Sequence, residues 1–282
     1  MPRALAIALA LLLSAPATAA DYHVAAPPTG SDANPGSAAL PFATIQRAAN
    51  IVNPGDNVIV HAGTYAGFNV GRSGTAALPI TFRTAAGEGP VIINTRAPEP
   101  FNGSSPRARI NIDTASHIIL DGFEVVGVAD QRTSKAGIRI VCPPGAGGGD
   151  FGHITLRHIY SHHHGQWGIL TGHVHHITIE DSTFSDNAAE HGIYLSNSGD
   201  GHAVRRCTLR NNSANGLHIN ADASQGGDGV ITGVTVEQNL IVNNGIGSTY
   251  INASGTTVNA LGGGSGINCD GLRLSLIHIS EP

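Results

Sequence analysis

The sequence contains few charged and few aromatic side chains. Asp, Glu, Lys and Arg make up 12% of its 282 residues, and Phe, Trp and Tyr make up 5%. Disordered chains are usually rich in charge, so this composition argues against disorder. The formal net charge of −5 gives no general attraction to nucleic acid, and we expect no nucleic-acid partner. An acidic polysaccharide would need a local cluster of arginine, histidine or metal.

Cysteine is also scarce. The three cysteines, Cys142, Cys207 and Cys269, are too few for a disulfide framework, although the sequence leaves one pair open. Cys269 occupies an inward position of a strand pattern, which predicts a buried thiol.

Long apolar runs are missing after residue 20, so we expect no membrane span. Residues 1–20 have the pattern of a secretory signal peptide. Arg3 supplies the positive start, residues 4–13 form a short apolar stretch, and residues 17–20 form a small-residue cleavage site. The pattern predicts a secreted or periplasmic protein.

Glycine, by contrast, is abundant, and it begins a string that recurs five times. The strings are Gly-Ile-Arg-Ile at 137, Gly-Ile-Leu-Thr at 168, Gly-Ile-Tyr-Leu at 192, Gly-Leu-His-Ile at 216 and Gly-Ile-Asn-Cys at 266. A period of about 24 residues with one short strand per repeat predicts an all-β solenoid. We interpret the longer interval after residue 216 as one coil with two insertions, near residues 221–232 and 246–264. Long loops on a rigid scaffold often carry function.

A second recurring feature is a pair of turn residues between the strands. Asn187, Asn212 and Asn244 each follow an Asp or Asn. Asparagine tolerates left-handed turn geometry, and we expect these side chains to stack inside successive coils. The histidines before Ile-Thr at 153 and 176 occupy a repeat position, which indicates a structural role.

The opening segment combines a strand with one short helix. Residues 21–25 predict a strand, and residues 41–50 predict a helix that Thr44 caps and Pro54-Gly55 ends. Three motifs are Gly-Ser-Asp-x-Asn-Pro-Gly (30–36), Pro-Phe-x-Thr-Ile-Gln (41–46) and Pro-Gly-Asp (54–56). Together they resemble the N-terminal segment, here residues 21–95, of secreted right-handed parallel β-helix proteins, among which pectate-lyase-type polysaccharide lyases are prominent. The resemblance implies a helix that covers the first coil, a polysaccharide lyase activity and calcium as a cofactor.

The expected organisation has three parts. Residues 1–20 are the signal peptide, and residues 21–273 form one β-helix domain that we expect to be truncated at its C-terminus. Residues 274–282 resemble the translation of a sequencing adapter, so we treat them as a non-native tail and exclude them from the fold prediction. We expect a monomer.

Alternate residues of a strand face opposite sides, so the third residue of each string faces outward. Two more positions face the same side: the residue just before each glycine, and the residue two places after the outward one. These three columns supply most of the candidate site. The predicted catalytic residues are His218, Tyr194, His191 and Asn220. The predicted substrate-binding residues are Trp167, Ser196, Asn268, Asp270 and Arg139. The predicted calcium ligands are Asp222 and Asp270.

These residue types suit β-elimination from a uronic acid in an acidic polysaccharide, which requires a base, an acid and neutralisation of the carboxylate. We expect His218 to be the base, Tyr194 its acid or base partner, and Asn220 or His191 to polarise the carboxylate. Trp167 would stack on a sugar. A glycoside hydrolase on the same scaffold is an alternative, with Asp222, Asp270 and Glu190 as candidate carboxyl groups. A carbohydrate-binding surface protein without catalysis is another.

Two further features of the sequence bear on its chemistry. Histidines crowd the stretch from residue 158 to 176, but no Cys-x-x-Cys or His-Glu-x-x-His spacing for a transition metal accompanies them. Lys135 is the only lysine, and lone lysines are mostly exposed, so we expect a solvated loop charge.

Overall fold

The computed structural model describes residues 19–142, 151–270 and 278–280, and they wind into a right-handed parallel β-helix. Each full coil contributes one strand to each of three parallel sheets, so the predicted all-β solenoid is confirmed. Residues 1–18 of the predicted signal peptide lie outside the described residues.

The strands are numbered in chain order and grouped here by sheet. Sheet 1 contains β1 (Asp21–Val24), β2 (Asn57–Val60), β5 (Ile80–Thr84), β8 (Ile118–Asp121), β11 (Gly152–Arg157), β14 (His175–Glu180), β17 (Ala203–Arg205), β20 (Thr235–Glu237) and β25 (His278–Ser280). Sheet 2 contains β3 (Gly63–Ala66), β6 (Val91–Thr95), β9 (Phe123–Val126), β12 (Tyr160–His162), β15 (Thr183–Ser185), β18 (Thr208–Arg210) and β21 (Leu240–Val242). Sheet 3 contains β4 (Phe68–Val70), β7 (Ala108–Asp113), β10 (Ala136–Val141), β13 (Trp167–Gly172), β16 (Ile193–Ser196), β19 (Leu217–Asn220) and β24 (Ile267–Asp270). An antiparallel hairpin joins β22 (Ser248–Ile251) to β23 (Thr257–Ala260).

Aliphatic columns hold the coils in register. In sheet 3, Ile138 pairs with Ile169, Ile169 with Ile193, and Ile193 with Leu217, and all four side chains are fully buried. Burying one such side chain contributes roughly 1.5–3 kcal/mol. A one-residue slip between coils would turn every one of them towards water, so the burial fixes the register.

The predicted asparagine stack is confirmed. Asn187 Nδ2 donates to Asn212 Oδ1 at 2.8 Å, and Asn212 Nδ2 donates to Asn244 Oδ1 at 2.9 Å. The stack also explains the recurring glycine. A Cβ at Gly192 would lie 2.8 Å from Asn212 Nδ2, so a side chain there would collide with the stack.

The N-terminal helix covers the first coil as predicted. Helix α1 (Ile45–Ala49) begins after Thr44, whose hydroxyl accepts a hydrogen bond from the Arg47 amide at 3.1 Å. Ile45, Ala48 and Ala49 are buried on its inner face. In the described part of the chain, no helix is long and apolar enough to cross a membrane.

The long interval between the last two repeats is one coil with two insertions, as predicted. Strand β24 pairs directly with β19, with Leu217 opposite Ile267. The first insertion contains the 3₁₀ helix Ala223–Gln225, and the second contains the β22–β23 hairpin. The hairpin runs back along the solenoid, because the Ile251 amide donates to the Ala129 carbonyl at 2.8 Å.

The structure differs from the sequence prediction at Cys269. Cys142 and Cys207 are buried, but Cys269 is exposed. Its strand is the last of sheet 3, and no further described strand covers it.

In the predicted tail, residues 278–280 form β25, which pairs with β20. The exclusion of this segment therefore omitted a strand that the structure describes. The adapter origin of the tail stays a prediction.

The asparagine stack generates a test of stability. Asn212 is fully buried and bonds to both neighbouring coils, so Asn212→Ala leaves buried amides unpaired. We expect a loss of about 2–4 kcal/mol in the free energy of unfolding, measured by urea denaturation. Asn259→Ala on the exposed hairpin is the control, with an expected loss of less than about 1 kcal/mol. Equal losses in the two variants would contradict a special role for the stack.

Candidate active site on sheet 3

The outward face of sheet 3 brings the predicted column together. Arg139 pairs with Leu170, Leu170 with Tyr194, Tyr194 with His218, and His218 with Asn268. Parallel strands place these side chains at intervals of about 4.8 Å along one wall.

Trp167 begins this wall but is mostly covered. Its ring centroid lies 5.9 Å from that of Tyr194, and only 8% of the residue is exposed. Lys135 Nζ lies over the ring, 5.1 Å from its centroid, and the indole N–H donates to Glu190 at 2.7 Å. The lysine therefore covers one face of the indole.

Three rings from neighbouring coils pack at the centre of the wall. The rings of Tyr194 and His218 are nearly parallel, with centroids 4.8 Å apart and planes 14° apart. His191 meets His218 edge-on at 4.5 Å, and it meets Tyr194 edge-on at 5.2 Å. The three rings form one rigid cluster, since each one limits the rotation of the other two.

Hydrogen bonds through this cluster fix the tautomers of both histidines. The Asn215 amide donates to His191 Nδ1 at 3.2 Å, so the proton of neutral His191 is on Nε2. That N–H faces His218 Nδ1 at 2.9 Å, which assigns the proton of His218 to Nε2. His218 Nε2 then donates to Asp270 Oδ2 at 2.9 Å. This chain of hydrogen bonds, the histidine chain, runs from the Asn215 backbone amide to the Asp270 carboxylate, which is 56% exposed.

Burial keeps His191 neutral. It lowers the His191 pKa from its ordinary value to about 3, and nearby His218 lowers it further while Asp270 opposes the shift. At neutral pH His191 is therefore a fixed hydrogen-bond donor to His218.

Tyr194 presents an available proton. Its hydroxyl oxygen accepts a hydrogen bond from Asn220 Nδ2 at 3.0 Å. Burial raises the Tyr194 pKa above its ordinary value, against the hydrogen bond from Asn220, so the phenol stays protonated at neutral pH. No acceptor for its own proton lies within hydrogen-bond distance among the described residues.

The structure places the other predicted residues as follows. Asn268 Nδ2 donates to Asp270 Oδ2 at 2.8 Å and so joins the histidine chain. Ser196 is buried, and its hydroxyl donates to the Thr171 carbonyl at 2.5 Å, which removes it from the exposed wall. Arg139 lies two strands from Tyr194, and its guanidinium pairs with Asp113 at 3.2 Å. Asp222 accepts from the Ser224 amide at 2.9 Å and caps the 3₁₀ helix.

The predicted calcium ligands do not form a metal site in the described part of the chain. Asp222 is used as a cap and Asp270 is bonded to His218, and no three His, Cys, Asp or Glu side chains there could hold a metal ion. Some of the crowded histidines contact one another, since His162 Nδ1 lies 2.6 Å from His163 Nδ1, but His162 also bonds Glu124 and His164 lies between Ser134 and Ser161. We therefore derive no step through a metal.

Sequence reasoning missed the role of Lys135. It is half-buried rather than solvated, and burial and the charge of Arg107 lower its pKa below the ordinary value. The signal was present in the repeat. Lys135, Gln166 and Glu190 each stand two residues before the repeat glycine, so they share one column. Gln166 Nε2 indeed donates to Glu190 Oε1 at 2.6 Å.

A family model described as the Pel9A-like, right-handed beta helix region matches residues 22–279. The chain belongs to the Pel9A-like β-helix family. The match includes every residue of the Tyr194–His218 wall.

Solved structures share the fold of this Pel9A-like chain. Pectate lyase Pel9A matches with a TM-score of 0.54 and 19% identity, over 79% of this chain and 55% of its own. A rhamnogalacturonan lyase matches with a TM-score of 0.58 and 20% identity, over 91% of this chain and 64% of its own. A lacto-N-biosidase from Eubacterium ramulus matches with a TM-score of 0.58 and 10% identity, over 89% of this chain and 54% of its own. The chain thus spans less than two thirds of each of them, and at these identities the likeness concerns the fold.

The lowered pKa of His191 predicts an acid-sensitive fold. The folded state holds this histidine neutral, so its stabilising contribution is complete above about pH 6.5 and is lost as the pH falls towards 3. Between pH 7 and pH 5 we expect this residue to account for a loss of about 1–2 kcal/mol in the free energy of unfolding. Urea denaturation at both pH values measures the loss, which should be smaller in His191→Gln.

Asn259→Ala on the exposed hairpin is the control, because it removes no titratable group. It should leave the dependence on pH as in the wild type. An unchanged pH dependence in His191→Gln would show that His191 does not titrate as its burial implies.

Proposed function

We propose that this chain is a secreted polysaccharide lyase that cleaves an acidic polysaccharide by β-elimination on the outer wall of sheet 3. The observation that carries the proposal is the position of the Tyr194 hydroxyl, which is held by Asn220 on a ring packed in parallel against His218. The family match and the lyases among the structural neighbours support the same reaction class.

Tyr194 is the proton donor in this proposal. β-Elimination needs an acid that delivers a proton to the leaving glycosidic oxygen. Asn220 donates a hydrogen bond to the Tyr194 oxygen, so Asn220 does not accept the phenol proton through this bond. The phenol proton can therefore be given to an acceptor outside the cluster. A raised pKa ensures that the proton is present when the bond breaks.

His218 takes the proton from the carbon beside the carboxylate. The lone pair of His218 is on Nδ1, which accepts the hydrogen bond from His191. To take a proton from the substrate, Nδ1 must give up this hydrogen bond. Asp270 holds the opposite N–H and stabilises the positive charge that forms on the ring. His191 acts by positioning His218, because it is buried and both of its nitrogens are bonded.

The carboxyl groups favour the lyase over a glycoside hydrolase. Hydrolysis requires two carboxyl groups that flank the bond, one as acid and one as base or nucleophile. Glu190 accepts bonds from Gln166 and Trp167, while Asp222 caps a helix and Asp270 bonds His218 and Asn268. All three candidates are thus engaged in structural hydrogen bonds.

Tyr194→Phe tests the proposal. Because the variant keeps the ring packing and loses only the proton donor, we expect a fall of at least about 100-fold in turnover with an unchanged melting temperature. The assay measures ultraviolet-absorbing unsaturated products from pectate, rhamnogalacturonan, alginate and glycosaminoglycans, with and without added calcium.

Tyr160→Phe, on sheet 2, is the matched control and should keep wild-type turnover. New reducing ends without ultraviolet absorbance would contradict the lyase and show that the protein is a hydrolase. Binding of a glycan without any product would leave a carbohydrate-binding protein.

A further inference from the structure

Lys135 is held firmly at the edge of the wall. Its backbone amide donates to the Arg107 carbonyl at 2.8 Å, and its carbonyl accepts from the Trp167 amide at 3.1 Å. These bonds tie it to the coils on both sides. Ala108 and Ala136 precede Trp167 in its column on sheet 3. Both are small, so they leave room in front of the indole for the lysine side chain.

Charged side chains of both signs act on the ammonium group. Arg107 and Arg139 are both close enough to lower the pKa of Lys135, while Glu190 opposes them. The two oxygens of Glu190 already accept from Gln166 and Trp167. No carboxylate within the described ranges lies at ion-pair distance from Lys135 Nζ, so this half-buried cation has no ion-pair partner among those residues.

The position relative to the proposed reaction centre is also defined. Arg139 pairs with Leu170, and Leu170 with Tyr194, so the strand that follows Lys135 is two strands from that of the tyrosine. At the usual spacing of strands this separation is about 10 Å. A group bound there therefore belongs to another part of the polymer than the bond that breaks beside Tyr194.

We propose that Lys135, supported by Arg139 and backed by Trp167, forms a subsite for the carboxylate of a uronate residue two strands from Tyr194. This inference rests on the proposed function, and it makes Lys135 a determinant of specificity for acidic over neutral glycans. An ammonium group beside an aromatic face suits a uronate, because the cation pairs with the carboxylate and the indole edge contacts the sugar ring.

The test compares Lys135→Met, which removes the charge at similar length, with Lys135→Arg, which keeps it. Calorimetry measures the binding of galacturonate, mannuronate and glucuronate oligomers, and of the same oligomers with their carboxyl groups reduced to alcohols. Lys135→Met should weaken binding of the acidic oligomer about tenfold, raise KM by a similar factor and leave kcat within about twofold. Lys135→Arg should bind nearly as the wild type does.

Two controls separate charge from structure. Arg210→Met removes a cation from sheet 2 and should change nothing. The reduced oligomers should bind the wild type and Lys135→Met equally, and salt should weaken the binding of the acidic oligomer to the wild type.

The outcomes also separate this subsite from the lyase itself. Binding is measured in the Tyr194→Phe background, where turnover is at least about 100-fold lower and the subsite is intact. Loss of acidic binding in Lys135→Met without any unsaturated product from the wild type would retain the subsite and reject the lyase. Product formation with unchanged binding and KM in Lys135→Met would reject the subsite and retain the lyase. A fall in kcat alone, or no binding of any acidic oligomer to the wild type, would also overturn the subsite.

Discussion

The in-register stacking of coils is the constraint on which the rest of this structure depends. Each coil buries an aliphatic pair against the next, and the Asn187–Asn212–Asn244 stack bonds them at the corner. One coil alone has too little interior to be stable, so the register is a property of the stack. Because the inward columns are fixed, the outward columns are fixed too. Residues 24 apart in the chain thereby become neighbours on one wall.

This wall combines rigidity with a defined distribution of protons. The histidine chain starts at a backbone amide, which cannot change its role as donor, and this assigns every proton as far as Asp270. Tyr194 is the member whose proton is not used within the cluster. Catalytic groups held by packing and hydrogen bonds need little reorganisation when a substrate arrives. The insertions of the last coil lie on the same scaffold, and the β22–β23 hairpin reaches back to Ala129.

Much of the fold and part of the site could be predicted from the sequence. The repeat identified the strands, the insertions and the outward column, because alternation in a strand is a local property. Thr44 and its helix were predictable from capping. The prediction for Cys269 was wrong, since an inward position is buried only when another strand covers it. Ser196 faced the predicted wall, but its hydroxyl is consumed by a carbonyl of the neighbouring coil. The prediction of a solvated charge at Lys135 was wrong, because the sequence does not show what packs against a side chain.

The sequence by itself determined the periodicity, and therefore which residues share a column. The periodicity can be recognised in the sequence because each strand has its own alternation of apolar and polar residues and its own glycine. Only the tertiary structure decided the tautomers of His191 and His218, the half-burial of Lys135 over Trp167, and the use of Asp222 as a helix cap. Those properties depend on distances between side chains from different coils, and a few tenths of an ångström separate a hydrogen bond from a simple contact.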